Sequence, residues 1–183
     1  MENLGDGHTS VVYLAKDLKT NKKVAIKMIR SQYVSGDSRA VNSIKDEVSV
    51  MKLLDHPNCV RLLNEGSNGS VVKASGRKIE NITYIMMEHV KGGTLFDFQE
   101  MLNEGQGMGE SYGRFIMHQL LNAVEYIHSK GMAHRDIKPE NIIIDDNMQI
   151  KLLDFGFATT RNIGKLMDYR GTQSYMAPEI KKG

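Results

Sequence analysis

Apolar residues recur in two rhythms along this chain. Val11 to Leu14 and Lys23 to Ile29 are short β-branched runs parted by a polar turn at Lys19-Thr20-Asn21. That pattern predicts two antiparallel strands, because β-branched side chains pack well on a pleated surface. Between Ser38 and Leu54 the rhythm changes. Val41, Ile44, Val48, Met51 and Leu54 fall at intervals of three and four, the spacing of one helical face. His56-Pro57-Asn58 is expected to end that helix, since proline disfavours helical geometry in the residue before it. Val60 to Leu63 and Ile82 to Met87 predict two more strands. The Gly/Ser-rich stretch between them, Asn64 to Asn81, is read as a solvent loop with room for an extra hairpin at Val71-Val72-Lys73. Gly92-Gly93 reads as a hinge-like break. A short helix is expected near Leu95 to Leu102. A longer one is expected near Ser111 to Ser129, with Ile116, Leu120, Val124 and Ile127 on one face. The last third predicts short strands at Ile142 to Ile144 and Ile150 to Leu152, joined by loops. A strand-rich first half and a helix-rich second half imply an α+β chain of two lobes, 1–89 and 90–183.

Composition narrows the class without naming a chemistry. The 183 residues suffice for one cored domain or two small lobes. Charged residues make up 25% and the net charge is +2, so neither nucleic acid nor membrane is called for as a partner. The single cysteine, Cys59, rules out an internal disulfide and fits a reducing compartment. No apolar run reaches membrane-spanning length, and the first residues lack a basic segment followed by an apolar one. The expected location is the cytoplasm or nucleus.

The candidate chemistry is spread over the whole chain. Leu4-Gly5-Asp6-Gly7-His8-Thr9-Ser10-Val11-Val12 is a two-glycine turn between strands, which lets backbone N–H groups come close to phosphate. Val24-Ala25-Ile26-Lys27 is an apolar strand ending in lysine, and Glu47 lies within the predicted helix. Taken singly, these are also ordinary turn, strand-edge and helix-surface residues. His134-Arg135-Asp136-Ile137-Lys138-Pro139-Glu140-Asn141, Asp154-Phe155-Gly156 and Ala177-Pro178-Glu179 follow in that order.

The ordered set resembles the eukaryotic protein kinase superfamily across essentially the whole chain. The resemblance implies a bilobal kinase-like fold, with a small antiparallel-sheet N-lobe and a partial helical C-lobe. It implies transfer of the γ-phosphoryl group of ATP with Mg²⁺, a reaction governed by positioning and charge stabilisation. By resemblance, Gly5 and Gly7 open the phosphate-covering loop. Lys27 holds the α- and β-phosphates, and Glu47 pairs with Lys27. Asp136 accepts the proton of the substrate hydroxyl, and Lys138 neutralises charge near the γ-phosphate. Asp154 and Asn141 hold the metal as oxygen ligands. The nucleotide contacts implied are Leu4, Gly5, Gly7, Val12, Ala25, Lys27, Met87, Glu88, Val90 and Ile143. Met51, Leu62, His134 and Phe155 would form a further apolar stack.

Lysine at position 138 is the serine/threonine form, so the implied partner is a protein with a serine or threonine acceptor. A regulatory partner is left open. Gly171-Thr172-Gln173-Ser174-Tyr175-Met176-Ala177-Pro178-Glu179 is similar to the calcium/calmodulin-dependent and AMP-activated kinases. The alternative readings are a pseudokinase-like module that binds nucleotide or a partner, and an inactive kinase gene fragment.

Departures from the family pattern carry further expectations. Ser10 replaces the third glycine of the phosphate loop. Thr94 stands where many kinases for basic substrates carry glutamate, while Glu140 is retained, leaving substrate charge preference open. Asp168 occupies the place of a phosphorylatable threonine and offers Arg135 a permanent negative charge. Thr159, Thr160, Tyr169 and Ser174 are candidate phosphosites, and Thr172 is expected to contact Asp136 and Lys138. Four residues precede Gly5 and four follow Glu179. The first strand is therefore expected to be cut short, and the face of the 111–129 helix left uncovered. These residues alone are expected to be poorly soluble or nearly inactive.

Overall fold

The structure, a computed structural model, describes residues 2–35, 38–73, 75–102, 107–160 and 170–182. Asp168 and Tyr169 lie outside the described residues. Contacts gather the chain into two units. The first comprises Met1–Val48 and Arg61–His89, and the second Ser49–Val60 and Val90–Gly183.

In the first unit, β1 (Glu2–Asp6), β2 (Ser10–Lys16), β3 (Lys23–Ile29), β4 (Leu62–Val72) and β5 (Lys78–Glu88) form an antiparallel sheet in the order β1-β2-β3-β5-β4. The period-two pattern of β3 works as expected: Val24 and Ile26 are buried, with the intervening Ala25 and Lys27 partly exposed. Ile85 and Met87 of β5 are buried as well. Helix α1 (Ser31–Ser35) follows β3, and α2 (Ser38–Lys52) runs on into the second unit. Helix α2 stops at Lys52, ahead of the His56-Pro57 pair.

The stretch Asn64 to Asn81 is not a loop. Strands β4 and β5 extend through it, and pairing continues to Val72↔Lys78 with irregularities at Leu62/Asn64, Gly66/Gly69 and Gly69/Val71. The hairpin expected at Val71-Val72-Lys73 is the tip of the β4–β5 pair, closed by the Lys73 N–H donating to the Arg77 carbonyl at 2.9 Å. Glycine and serine are depleted in strands, so composition argued for a loop. The Tyr84 ring reverses that: a Cβ on Gly69 would stand 2.6 Å from it. Glycine there marks a close approach across the ladder.

The second unit carries a small sheet of β6 (Gly92–Thr94), β7 (Ile142–Asp145) and β8 (Ile150–Leu152), in that order. Gly92-Gly93 is thus strand rather than a hinge-like break. A Cβ at Gly92 would lie 1.9 Å from the Ile144 carbonyl oxygen; the glycine serves strand approach. Thr94 caps α3 (Leu95–Met101) in a reciprocal box with Asp97. Helix α4 (Glu110–Ser129) buries Ile116, Ala123 and Ile127. Its Leu120 and Val124 are half-buried, while Phe115, Met117 and Leu121 are exposed. A short α5 (Pro178–Lys182) closes the described chain.

One buried polar side chain ties this unit together. Asn58 donates to the Ile150 carbonyl at 2.9 Å and to Gln119 Oε1 at 3.1 Å. Gln119, on α4, also accepts from the Ile150 N–H and donates to the Met148 carbonyl. Helix, strand and the segment before it therefore share one amide network, which is costly to leave half-satisfied. Asn58→Ala is expected to lower unfolding free energy by about 1–3 kcal/mol. Urea denaturation, with the slope unchanged, measures it.

Candidate functional site

In the first unit the site begins with a tight turn. Gly7 N–H donates to the Ser10 carbonyl at 2.9 Å, so residues 7 to 9 form the loop. Gly5 belongs to β1, opposite Val12. Arg30 pairs with Asp6, and its N–H donates to the Thr9 carbonyl at 3.0 Å. His8 meets Tyr33 Oη at 3.1 Å. Sequence reasoning missed these tethers, because no local pattern joins residues 6 and 8 to residues 30 and 33.

Lys27 stands on β3 opposite Val12, and its Nζ lies 2.6 Å from Glu47 Oε1. Glu47 is 4% exposed. A carboxylate this buried is stable only when paired, and removing one partner of such a pair costs about 3–5 kcal/mol. The exposed-helix-charge reading of Glu47 therefore fails. Of the other expected nucleotide contacts in this unit, Leu4 is exposed, Val12 and Ala25 are half-buried, and Met87 is buried opposite Ala25. Glu88, opposite Val24, gives its N–H to the Arg61 carbonyl at 3.0 Å.

In the second unit the chemistry gathers on the loop between Ala133 and Ile142. Asp136 is 3% exposed. Its Oδ1 accepts from Thr172 N–H at 2.9 Å and from the Thr172 hydroxyl at 2.7 Å. Its Oδ2 accepts from Asn141 Nδ2 at 3.0 Å and faces Lys138 Nζ at 3.1 Å. Lys138 also donates to the Thr172 hydroxyl at 2.8 Å. The four residues form one closed set, and Thr172 makes both contacts expected of it.

Burial pushes the Asp136 pKa up, but the hydrogen bonds from Thr172 and Lys138 and the Lys138 charge outweigh it, leaving it below 3.8. Next to it, His134 Nδ1 accepts from the Asp136 N–H at 3.2 Å, and Nε2 faces the Leu153 carbonyl at 2.9 Å. Both contacts suit the neutral imidazole, and burial lowers the His134 pKa in the same direction.

Asn141 donates through Nδ2, so its amide oxygen is the end presented elsewhere. Leu153 N–H donates to the Asn141 carbonyl at 2.8 Å, which holds the residue before Asp154 against Asn141. Asp154 takes the left-handed conformation at φ +53°, with Oδ1 accepting from Gly156 N–H at 3.3 Å. One carboxylate and one amide oxygen are hard donors, and so few protein ligands suit a small divalent cation that keeps water and phosphate oxygens. The donor set therefore fits the metal. Val90 and Ile143 are half-buried in this unit, with Ile143 paired to Thr94. Of the expected apolar stack, Phe155 is fully buried with its ring 4.9 Å from His134, and Met51 is buried in the same unit. Leu62 belongs to the first unit.

The sign of the Asp136 shift sets a test. A folded-state pKa below the unfolded one gives stability above the unfolded value, lost as pH falls through the folded value. Thr172→Val removes the largest lowering contribution. The Asp136 carboxyl, followed by carbon-13 NMR titration, is expected to titrate at higher pH in Thr172→Val and to return in Thr172→Ser.

Known proteins are similar to this chain in sequence. The protein kinase domain family matches residues 1–183. CBL-interacting protein kinase 9 of Oryza sativa subsp. japonica is 39% identical over 98% of this chain and 37% of its own length. CBL-interacting serine/threonine-protein kinase 20 of Arabidopsis thaliana is 41% identical, over 98% of this chain and 39% of its own length. Probable serine/threonine-protein kinase MARK-C of Dictyostelium discoideum is 37% identical, over 99% of this chain and 22% of its own length. The chain thus spans well under half the length of these relatives. The family uses ATP, typically with a divalent metal. A buried lysine–glutamate pair in one unit, an aspartate held by lysine, asparagine and threonine in the other, and a family match from first residue to last have one common account: this chain belongs to the protein kinase domain family.

Proposed function

We propose that this chain is the phosphoryl-transfer core of a serine/threonine protein kinase that uses ATP and Mg²⁺. The observation that carries the proposal is the Asp136 carboxylate, buried, ionised, and held by Lys138, Asn141 and Thr172. An aspartate in that state can accept the proton of an incoming hydroxyl as its oxygen bonds to phosphorus. All four acceptor directions of its carboxylate are occupied, so the Thr172 hydroxyl is the contact that an acceptor hydroxyl replaces most simply. Lys138 then supplies positive charge at the point of transfer.

Lys27, held by Glu47, serves the α- and β-phosphates. The Gly7 turn offers backbone N–H groups to the same anion, and Val12, Ala25 and Met87 of the first unit give apolar surface for the adenine. Mg²⁺, when bound by Asp154 and Asn141, neutralises charge on the phosphate oxygens. The relatives named as CBL-interacting support extending the proposal to a regulatory protein partner.

The full-length protein with labelled ATP and Mg²⁺ is expected to phosphorylate serine and threonine peptides and not a tyrosine counterpart. Asp136→Asn is expected to lower the rate about 10²–10⁴-fold, the usual weight of a positioned base. Lys27→Met should act through the nucleotide. Nucleotide-induced thermal stabilisation without any phosphotransfer would instead identify a binding module.

A further inference from the structure

We infer that Arg30 is a positioning residue for the nucleotide: its guanidinium cancels the Asp6 carboxylate beside the Gly7 turn, and the hold of that turn on the polyphosphate of ATP depends on the cancellation. The inference rests on the phosphoryl-transfer reading above. Asp6 ends β1 and stands between Gly5 and Gly7. Neighbouring Cα atoms lie about 3.8 Å apart. An anion held by the turn therefore sits within the Debye length of the Asp6 carboxylate, about 8 Å at physiological salt. An uncompensated carboxylate there repels the phosphate that the backbone N–H groups attract.

Arg30 directly follows β3 and reaches back across the sheet. Its Nη2 donates to Asp6 Oδ1 and to the Gly7 carbonyl, the latter at 3.4 Å. One guanidinium can serve both acceptors, because it carries several donors in a fixed fork and accepts nothing. The two side chains are 39% and 60% exposed. An ion pair this open to water adds little to the stability of the fold. Its position is what gives it a role: it sets the net charge at the edge of the phosphate-covering turn.

The shape of the turn does not need the Arg30 side chain. Gly7 N–H closes on the Ser10 carbonyl at 2.9 Å, and the backbone N–H of Arg30 donates to the Thr9 carbonyl at 3.0 Å. Before the turn, Gly5 N–H donates to Asn3 Oδ1 at 2.9 Å. At its tip, the His8 ring lies 5.3 Å from the Tyr33 ring and meets the Tyr33 hydroxyl. All four contacts survive a change of side chain at position 30. Such a change therefore removes a charge and leaves the frame of the turn standing, which separates an electrostatic role from a structural one.

The test measures the affinity of the full-length protein for ATP, ADP and adenosine by competition with a labelled nucleotide. Arg30→Gln is expected to weaken ATP about three- to tenfold relative to adenosine, ADP by less, and the loss should shrink with added salt. Arg30→Lys keeps the charge and is expected to recover most of the ratio. Asp6→Asn leaves Arg30 in excess and is expected to tighten ATP, and the double variant Asp6→Asn with Arg30→Gln to return the ratio close to that of the parent. Each ratio is internal to one preparation, so the folded fraction does not move it. An equal loss for ATP and adenosine in Arg30→Gln, or a double variant as weak as Arg30→Gln alone, would overturn the inference and leave the kinase reading standing. A parent that binds none of the three and transfers no phosphate would remove both.

Discussion

An ionised carboxylate with almost no solvent access has to find its hydrogen bonds within the chain, and Asp136 meets that demand with three residues, one of them distant in sequence. Burial of an unpaired carboxylate would cost many kcal/mol and neutralise it instead. Lys138 and Asn141 come from the same loop, but Thr172 arrives from 36 residues away. Satisfying Asp136 therefore fixes two separate stretches of backbone against each other within the second unit. Gly171 follows from this. The segment carrying Thr172 passes so close to the Arg135 carbonyl that a side chain at 171 has no room. The same contact that keeps Asp136 ionised thus holds the segment around Thr172 in place.

The rest of the second unit supports that loop from behind. Phe155 is fully buried against His134, whose two nitrogens engage the Asp136 N–H and the Leu153 carbonyl. Below them Asn58 and Gln119 join α4 to β8. Cys59 sits in this packing with its thiol pushed up to about 12 by burial, so it acts as a small apolar side chain rather than a nucleophile. The first unit applies the same rule to a cation and an anion. Lys27 is placed by β3 and Glu47 by α2, and each is tolerable in its surroundings because the other is there.

Much of this was legible in the residues and some was not. Strands β3 and β8 were readable to their ends, because Lys23 to Ile29 and Ile150 to Leu152 are compact apolar runs. The face of α4 was readable at Ile116 and Ile127. The β4–β5 pair was legible only at its tip, Val71-Val72-Lys73; the rest was not, because the Tyr84 ring lies against Gly66 and Gly69, a cross-strand fact with no signature in a stretch of Gly, Ser and Asn. Gly92 misled for a related reason: it looks like a hinge, yet its missing Cβ is what lets β6 approach Ile144. At the candidate site, motif order named Lys27, Glu47, Asp136, Asn141 and Asp154. It gave no hint of Asn58 or of the Arg30–Asp6 and His8–Tyr33 tethers, which depend on long-range placement of ordinary residues.

Backbone strain falls unevenly. Asn21, in the turn after β2, and Asn81, within β5, adopt positive φ, where asparagine does so at little cost, and Met148 does so in the turn between β7 and β8. Arg135 at φ +67° and Asp154 at φ +53° are different, because neither position is a hairpin turn that would need it. Arg135 in a conformation that clashes with its own Cβ costs on the order of 1–3 kcal/mol, which the surrounding contacts must offset. The neighbours do so: Asp136 bonds His134 on one side and Thr172 on the other, and Arg135 itself bonds the Phe157 carbonyl. Asp154 is held by the Leu153 bonds that precede it and the Gly156 N–H that follows. The chain is thus bent against its local preference at Arg135 and at Asp154, and the contacts that bury Asp136 help to hold the first of these bends.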